Sequence, residues 1–173
     1  MSKNQIQPII QLLKESEAAL FESINELTDE QLIWKSSPTE WSILEIIEHL
    51  TLADLSIIQN IKRKGQEITE IVVETADDIR IAKIVVPRRV KVKAPDFLVP
   101  SGKFKTRQEA ITAFQKTRGI VIQFLETTDL PLEKIAWKHF AIGLIDGYNW
   151  INFTARHCQR HILQIEEIKS QFK

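Results

Sequence analysis

Apolar residues in this chain return at spacings of three, four and seven over four long stretches, and that period limits its fold more than any other feature. The first stretch carries Ile6, Ile9, Ile10, Leu13, Leu20, Phe21, Ile24 and Leu27, which fall on one stripe of an α-helix. Pro8 lies in its first turn, where a missing N–H costs least. After a polar connection through "SSPTEW", Ser42 with Glu45 three residues on forms a reciprocal cap and predicts a second helix to about Lys64. Thr106 with Glu109 repeats the pattern, and Ala110, Ile111, Phe114, Val121, Phe124 and Leu125 carry a third helix to about Glu126. The last helix, about Tyr148 to Gln171, shows Trp150, Phe153, His157, His161, Ile165 and Ile168 at near-heptad spacing.

From about Lys64 to Lys105 the period lapses. "TADDIRIAKIVV" fits a short helix and "RRVKVKAP" alternates like a short extended segment, while Pro87, Pro95, Pro100 and Gly102 predict a long irregular crossover. Gly143 and Gly147 in "FAIGLIDGYN" predict a loop approach to the last helix. The expectation is all-α: a four-helix bundle over residues 1–173, one domain, with a long crossover between the second and third main helices. Such bundles hold metal and ligand sites between facing helices.

Composition narrows the partners. With 23 basic and 23 acidic side chains the net charge is zero, so no global field draws the chain to nucleic acid or an anionic membrane. Locally, Arg80, Lys83, Arg88, Arg89, Lys91, Lys93, Lys103, Lys105 and Arg107 face one acid, Asp96. Phe97 and Phe104 are the aromatics among them, a poor match to the interleaved pattern of nucleic-acid binding, so a solvated loop or a contact with an acidic surface on a partner is expected. The single cysteine, Cys158, excludes an intrachain disulfide and fits a reducing compartment. No apolar run approaches the roughly 20 residues that span a bilayer, and the first twenty residues lack a secretory core. A cytoplasmic protein without membrane segments is expected.

His157 and His161 stand four apart, on one face of the last helix, where two imidazoles can converge on one ion. That spacing also arises by chance; phase gives it weight. Both share the inner stripe with Phe153 and Ile165, and His49 shares a stripe with Ile46, Ala53 and Ile57 in the second helix. Each buried ring brings a nitrogen that is costly unless bonded, and one shared cation would satisfy all three. Separately hydrogen-bonded core histidines are the alternative. His139 falls outside that geometry, at a pocket rim. Cys158 is turned about 100° from His157 and reads as a packing residue.

"SPTEWSILEIIEHL", with Trp41, Ser42, Glu45, His49 and Leu50, together with "WKHFAIGLIDGYNWINFTARHCQRHILQIEEI", resembles the two signature regions of the DinB-like superfamily of metal-dependent proteins. The resemblance spans essentially the whole chain. It implies a four-helix bundle, often a homodimer, in which His49, His157 and His161 bind a divalent ion such as zinc, nickel or iron. Some similar proteins use a low-molecular-weight thiol in transferase or isomerase reactions; others are described as hydrolases.

Three protein ligands leave a coordination position open, the arrangement of catalytic zinc. Such an ion lowers the pKa of bound water to about 7, polarises a carbonyl or holds a thiol as thiolate. The function expected is therefore a divalent-metal-dependent hydrolase or thiol-dependent S-transferase acting on a small molecule, with a non-catalytic metal-binding or stress-response module as the alternative and nucleic-acid binding through the basic crossover at 80–107 as a less favoured one. Glu45 is expected to serve as the capping partner of Ser42 rather than as a base beside His49. Gln164 is either an outer partner of the site or a polar residue at the bundle end. Asp54, Asp146 and Tyr148 are weaker candidates.

Overall fold

In a computed structural model describing residues 3–65 and 74–172, the four periodic stretches are helices. They are α1 (Lys3–Ile24), α3 (Ile43–Lys64), α5 (Arg107–Thr127) and α6 (Gly147–Lys169), with shorter α2 (Asp29–Ile33) and α4 (Asp78–Val85) between them. Both expected capping boxes form: Ser42 accepts from Glu45 N–H and Thr106 from Glu109 N–H, each glutamate reaching back to its cap. Helix α2 starts on a third such box, Thr28 with Gln31, whose pattern is equally visible in the sequence.

Packing closes the main helices into a ring in the order α1, α6, α3, α5. Helices α1 and α3, consecutive among the long ones, therefore sit on a diagonal, and α3 lies directly against α6. That adjacency is what allows His49 to meet His157 and His161. The core comes in two apolar clusters, one around Leu13, Ile61, Val121 and Ile151, the other around Leu20, Ile46, Phe114 and Ile165. Each such side chain contributes about 1.5–3 kcal/mol on full burial.

The crossover between α3 and α5 is as irregular as expected; its part at 66–73 lies outside the described residues. "RRVKVKAP" forms no strand, and a 3₁₀ turn at Asp96–Leu98 touches α3. Before α6 the expectation of a plain loop is corrected. Strands β1 (Ala136–His139) and β2 (Gly143–Asp146) pair antiparallel, with His139 opposite Gly143. Gly143 closes the turn at φ +97°, a conformation that favours glycine.

Candidate metal centre

The cap at Ser42 sets the phase of α3, so His49, two turns in, points at α6 and is 4 % exposed. On α6 the cap is Asp146, which accepts from Asn149 N–H at 2.8 Å. His157 and His161 then follow on the face turned to α3. His157 Nε2 lies 3.4 Å from His49 Nε2 and 3.0 Å from His161 Nε2. Two nitrogens bound at about 2.0–2.1 Å to one tetrahedral ion stand roughly 3.3 Å apart, so the observed spacings fit a shared cation. Among the described residues the cluster holds these three ligand candidates and no carboxylate or thiol.

Hydrogen bonds on the far side of two rings fix which nitrogens are free. His49 Nδ1 faces Leu98 O at 2.8 Å, and a carbonyl only accepts, so the proton is on Nδ1 and the Nε2 lone pair faces the cluster. His161 Nδ1 donates to Gln164 Oε1 at 2.9 Å with the same result. His157 Nδ1 is buried without a partner, although part of the residue reaches the surface. Lone pairs crowded this closely repel unless a proton on His157 Nε2 or a cation lies between them.

Burial lowers the pKa of His49, against the Leu98 carbonyl that raises it. Burial takes His157 well below the usual range, and its neighbours His161, His49 and Arg160 push the same way. His161 is likewise held low by burial and then by His49, with the bond to Gln164 opposing. All three are thus neutral at pH 7, the form that ligates.

Two anchors fix the crossover over the site. Glu48, 2 % exposed, accepts from Ser101 N–H and Oγ, Gly102 N–H and Lys103 N–H at 2.8–3.0 Å. Burial opposes its ionisation, but those bonds outweigh it and hold the carboxyl below its ordinary value. Arg160 of α6 donates to the carbonyls of Val85, Pro87 and Val90. Rings flank the cluster: Trp41 at 4.8 Å from His49 and Phe153 stacked at 5.3 Å on His157.

The remaining candidates are distributed elsewhere. His139 stacks on Phe140 and meets Phe153 at 5.2 Å, outside the three-ring cluster. Glu45 caps α3 and pairs with Lys35 at 2.6 Å. Cys158 is buried and its thiol donates to Ser16 O at 3.4 Å, pointing towards α1. Asp54 pairs with Arg118 in the core, Asp146 caps α6, and Tyr148 packs on the first apolar cluster. Sequence reasoning missed Leu98, which acts through its carbonyl, and Arg88, which was expected in a solvated basic run but is turned inward to Gln164 and Glu167. Lys91 pairs with Glu40. Two hollows, of about 410 Å³ beside Trp34 and Phe172 and about 380 Å³ beside Pro8 and Arg156, do not touch the histidines. No described helix is long and apolar enough to cross a membrane.

Known proteins agree with this architecture. The family model described as "DinB superfamily" matches residues 12–165. An uncharacterized protein, YuaE of Bacillus subtilis (strain 168), is 27 % identical over 172 residues, covering 94 % of this chain and 98 % of that one. The solved structure described as "YfiT from Bacillus subtilis is a probable metal-dependent hydrolase with an unusual four-helix bundle topology" superposes with a TM-score of 0.62 at 22 % identity, covering 99 % of this chain and 89 % of that one. At that identity the likeness is one of fold.

Proposed function

The chain belongs to the DinB superfamily, and from that premise we propose that it is a divalent-metal-dependent enzyme acting on a small molecule, with His49, His157 and His161 as the metal ligands. The observation that carries this reading is the convergence of three Nε2 atoms, two of them freed of protons by Leu98 O and Gln164 Oε1. The description of YfiT as a probable metal-dependent hydrolase supports it and favours hydrolysis. A divalent ion held by three neutral imidazoles supplies a Lewis acid with a position open to water, a low-molecular-weight thiol or substrate. The chain itself holds the imidazoles neutral and oriented, with Phe153 stacked on His157 and Trp41 tilted against His49.

Metal content decides the reading. Protein purified without an affinity tag and loaded with zinc, nickel or iron is expected to retain about one ion per chain. His49→Ala and His157→Ala, checked for helix content, are expected to lose it. Retention unchanged in both variants removes the basis of the reading.

A second reading, a metal-binding module without catalysis, is favoured by one observation: His49 and His161 are only 4 % and 6 % exposed. Cobalt substitution separates the two. An open position responds to added azide or thiol with a changed visible spectrum, and a closed one does not.

A further inference from the structure

A neutral imidazole carries one proton on one of its two nitrogens and binds a cation through the other. At His161 the choice is set by what faces Nδ1, and that group is the Gln164 side-chain amide. A glutamine ends in an acceptor oxygen and a donor NH₂ of nearly the same shape, so by itself it can turn either towards the ring. With NH₂ turned in, His161 takes the Nε2–H form, and the proton sits where the three rings converge. His49 faces no such ambiguity, because its partner is the backbone carbonyl of Leu98, which cannot flip.

Arg88 removes the freedom at Gln164. Its Nη1 lies 3.0 Å from the same Oε1 that accepts from His161, and a guanidinium has only donors to offer. The amide must therefore turn its oxygen inward. Arg88 is itself held by Glu167, with Nε 2.9 Å from Oε1, and its side chain is 12 % exposed. Gln164 and Glu167 extend α6 beyond His161, while Arg88 arrives from the crossover, 76 residues before Gln164.

We propose that Arg88 is a positioning residue: by locking the Gln164 amide it keeps the proton of His161 on Nδ1 and leaves Nε2 free for a cation. The consequence for metal affinity rests on the ligand reading given above; the position of the proton does not.

The test is a long-range ¹H–¹⁵N correlation spectrum of metal-free protein labelled in its histidines, which reports the protonated nitrogen of each ring. His161 is expected as Nδ1–H in the parent. Arg88→Ala shifts it towards Nε2–H, and Gln164→Leu, which removes the acceptor with Arg88 in place, does the same. Arg88→Ala combined with Gln164→Glu restores Nδ1–H, because a carboxylate accepts whichever way it turns. Arg89→Ala, which removes a neighbouring exposed charge, leaves the spectrum as in the parent. Zinc affinity, measured by competition with a chromophoric chelator, falls about 10- to 100-fold in Arg88→Ala and recovers in the double variant. An Arg88→Ala protein that keeps His161 as Nδ1–H overturns the proposal. So does a well-folded double variant that stays shifted, or an Arg89→Ala shift of equal size. Absence of zinc binding in the parent overturns the ligand reading instead, and the spectra still decide the role of Arg88.

Discussion

Arg118 Nε lies 3.2 Å from Asp54 Oδ2 in the middle of the bundle, where the two side chains are 2 % and 0 % exposed. The contact is an ion pair rather than a hydrogen bond; the guanidinium donates instead to Thr154 Oγ1 and O, and stands over the Phe114 ring at 4.9 Å. This polar layer takes one residue each from α3, α5 and α6. Such a pair is costly to desolvate and costlier to break, since removing one partner leaves a buried charge alone. Arg118→Met is expected to lose about 3–5 kcal/mol in urea denaturation, and Asp54→Leu with Arg118→Met to recover most of it. A single variant that loses less than about 1 kcal/mol would show that the pair is uncoupled from the fold.

The same layer gives stability a pH dependence. Burial pushes the Asp54 carboxyl up to about 6, with Arg118 opposing and Glu17 adding to the rise. The unfolded chain releases that proton near pH 3.9, so between about 3.9 and 6 the folded state holds more protons. Stability from this group is therefore present at low pH and lost as pH rises through that window, by up to about 3 kcal/mol. In Asp54→Asn the contribution is absent. The stability difference between parent and variant should shrink from pH 4 to pH 7; a difference that is flat or grows contradicts the assignment.

Cys158 follows from its surroundings. Its thiol has no exposed surface, and burial pushes its pKa up to about 12. Native protein at pH 8 is expected to resist a thiol-specific disulfide reagent, with labelling limited by opening of α6 from α1, and to react fully in urea. Complete labelling of the native chain within minutes would place the sulfur elsewhere.

The long helices were legible because period and cap agreed: Ser42 with Glu45 and Thr106 with Glu109 mark the starts of α3 and α5 to the residue. The meeting of His49, His157 and His161 was legible too, since helical phase converts spacing into a shared face. Helix α2 escaped because its five residues are too few to show a period, despite its cap. Strands β1 and β2 have four residues each, and the signal for their turn was Gly143 alone. Arg118 and Glu48 were invisible as buried groups because a charge reads as surface unless its partner is known, and those partners lie far along the chain. Leu98 contributes a carbonyl, which every residue has, so no side-chain pattern could single it out.

Glu48 is the place where the crossover is pinned beside the histidines. Its two oxygens accept three backbone N–H groups and the Ser101 hydroxyl, a set that only a carboxylate satisfies. In Glu48→Gln one oxygen becomes an NH₂ facing N–H donors, and in Glu48→Ala all the donors are released. Hydrogen bonds to a charged acceptor contribute about 1.5–3 kcal/mol each, and water replaces part of that at this half-exposed segment. Amide exchange at Ser101, Gly102 and Lys103 is expected to accelerate at least tenfold in both variants, while amides in the middle of α5 change only with global stability. Because Leu98 lies three residues before Ser101, the His49 Nδ1–H bond should loosen with it, read as faster exchange of that ring proton. Unchanged protection at 101–103 would mean that the crossover is held by Arg160 and Arg88 alone.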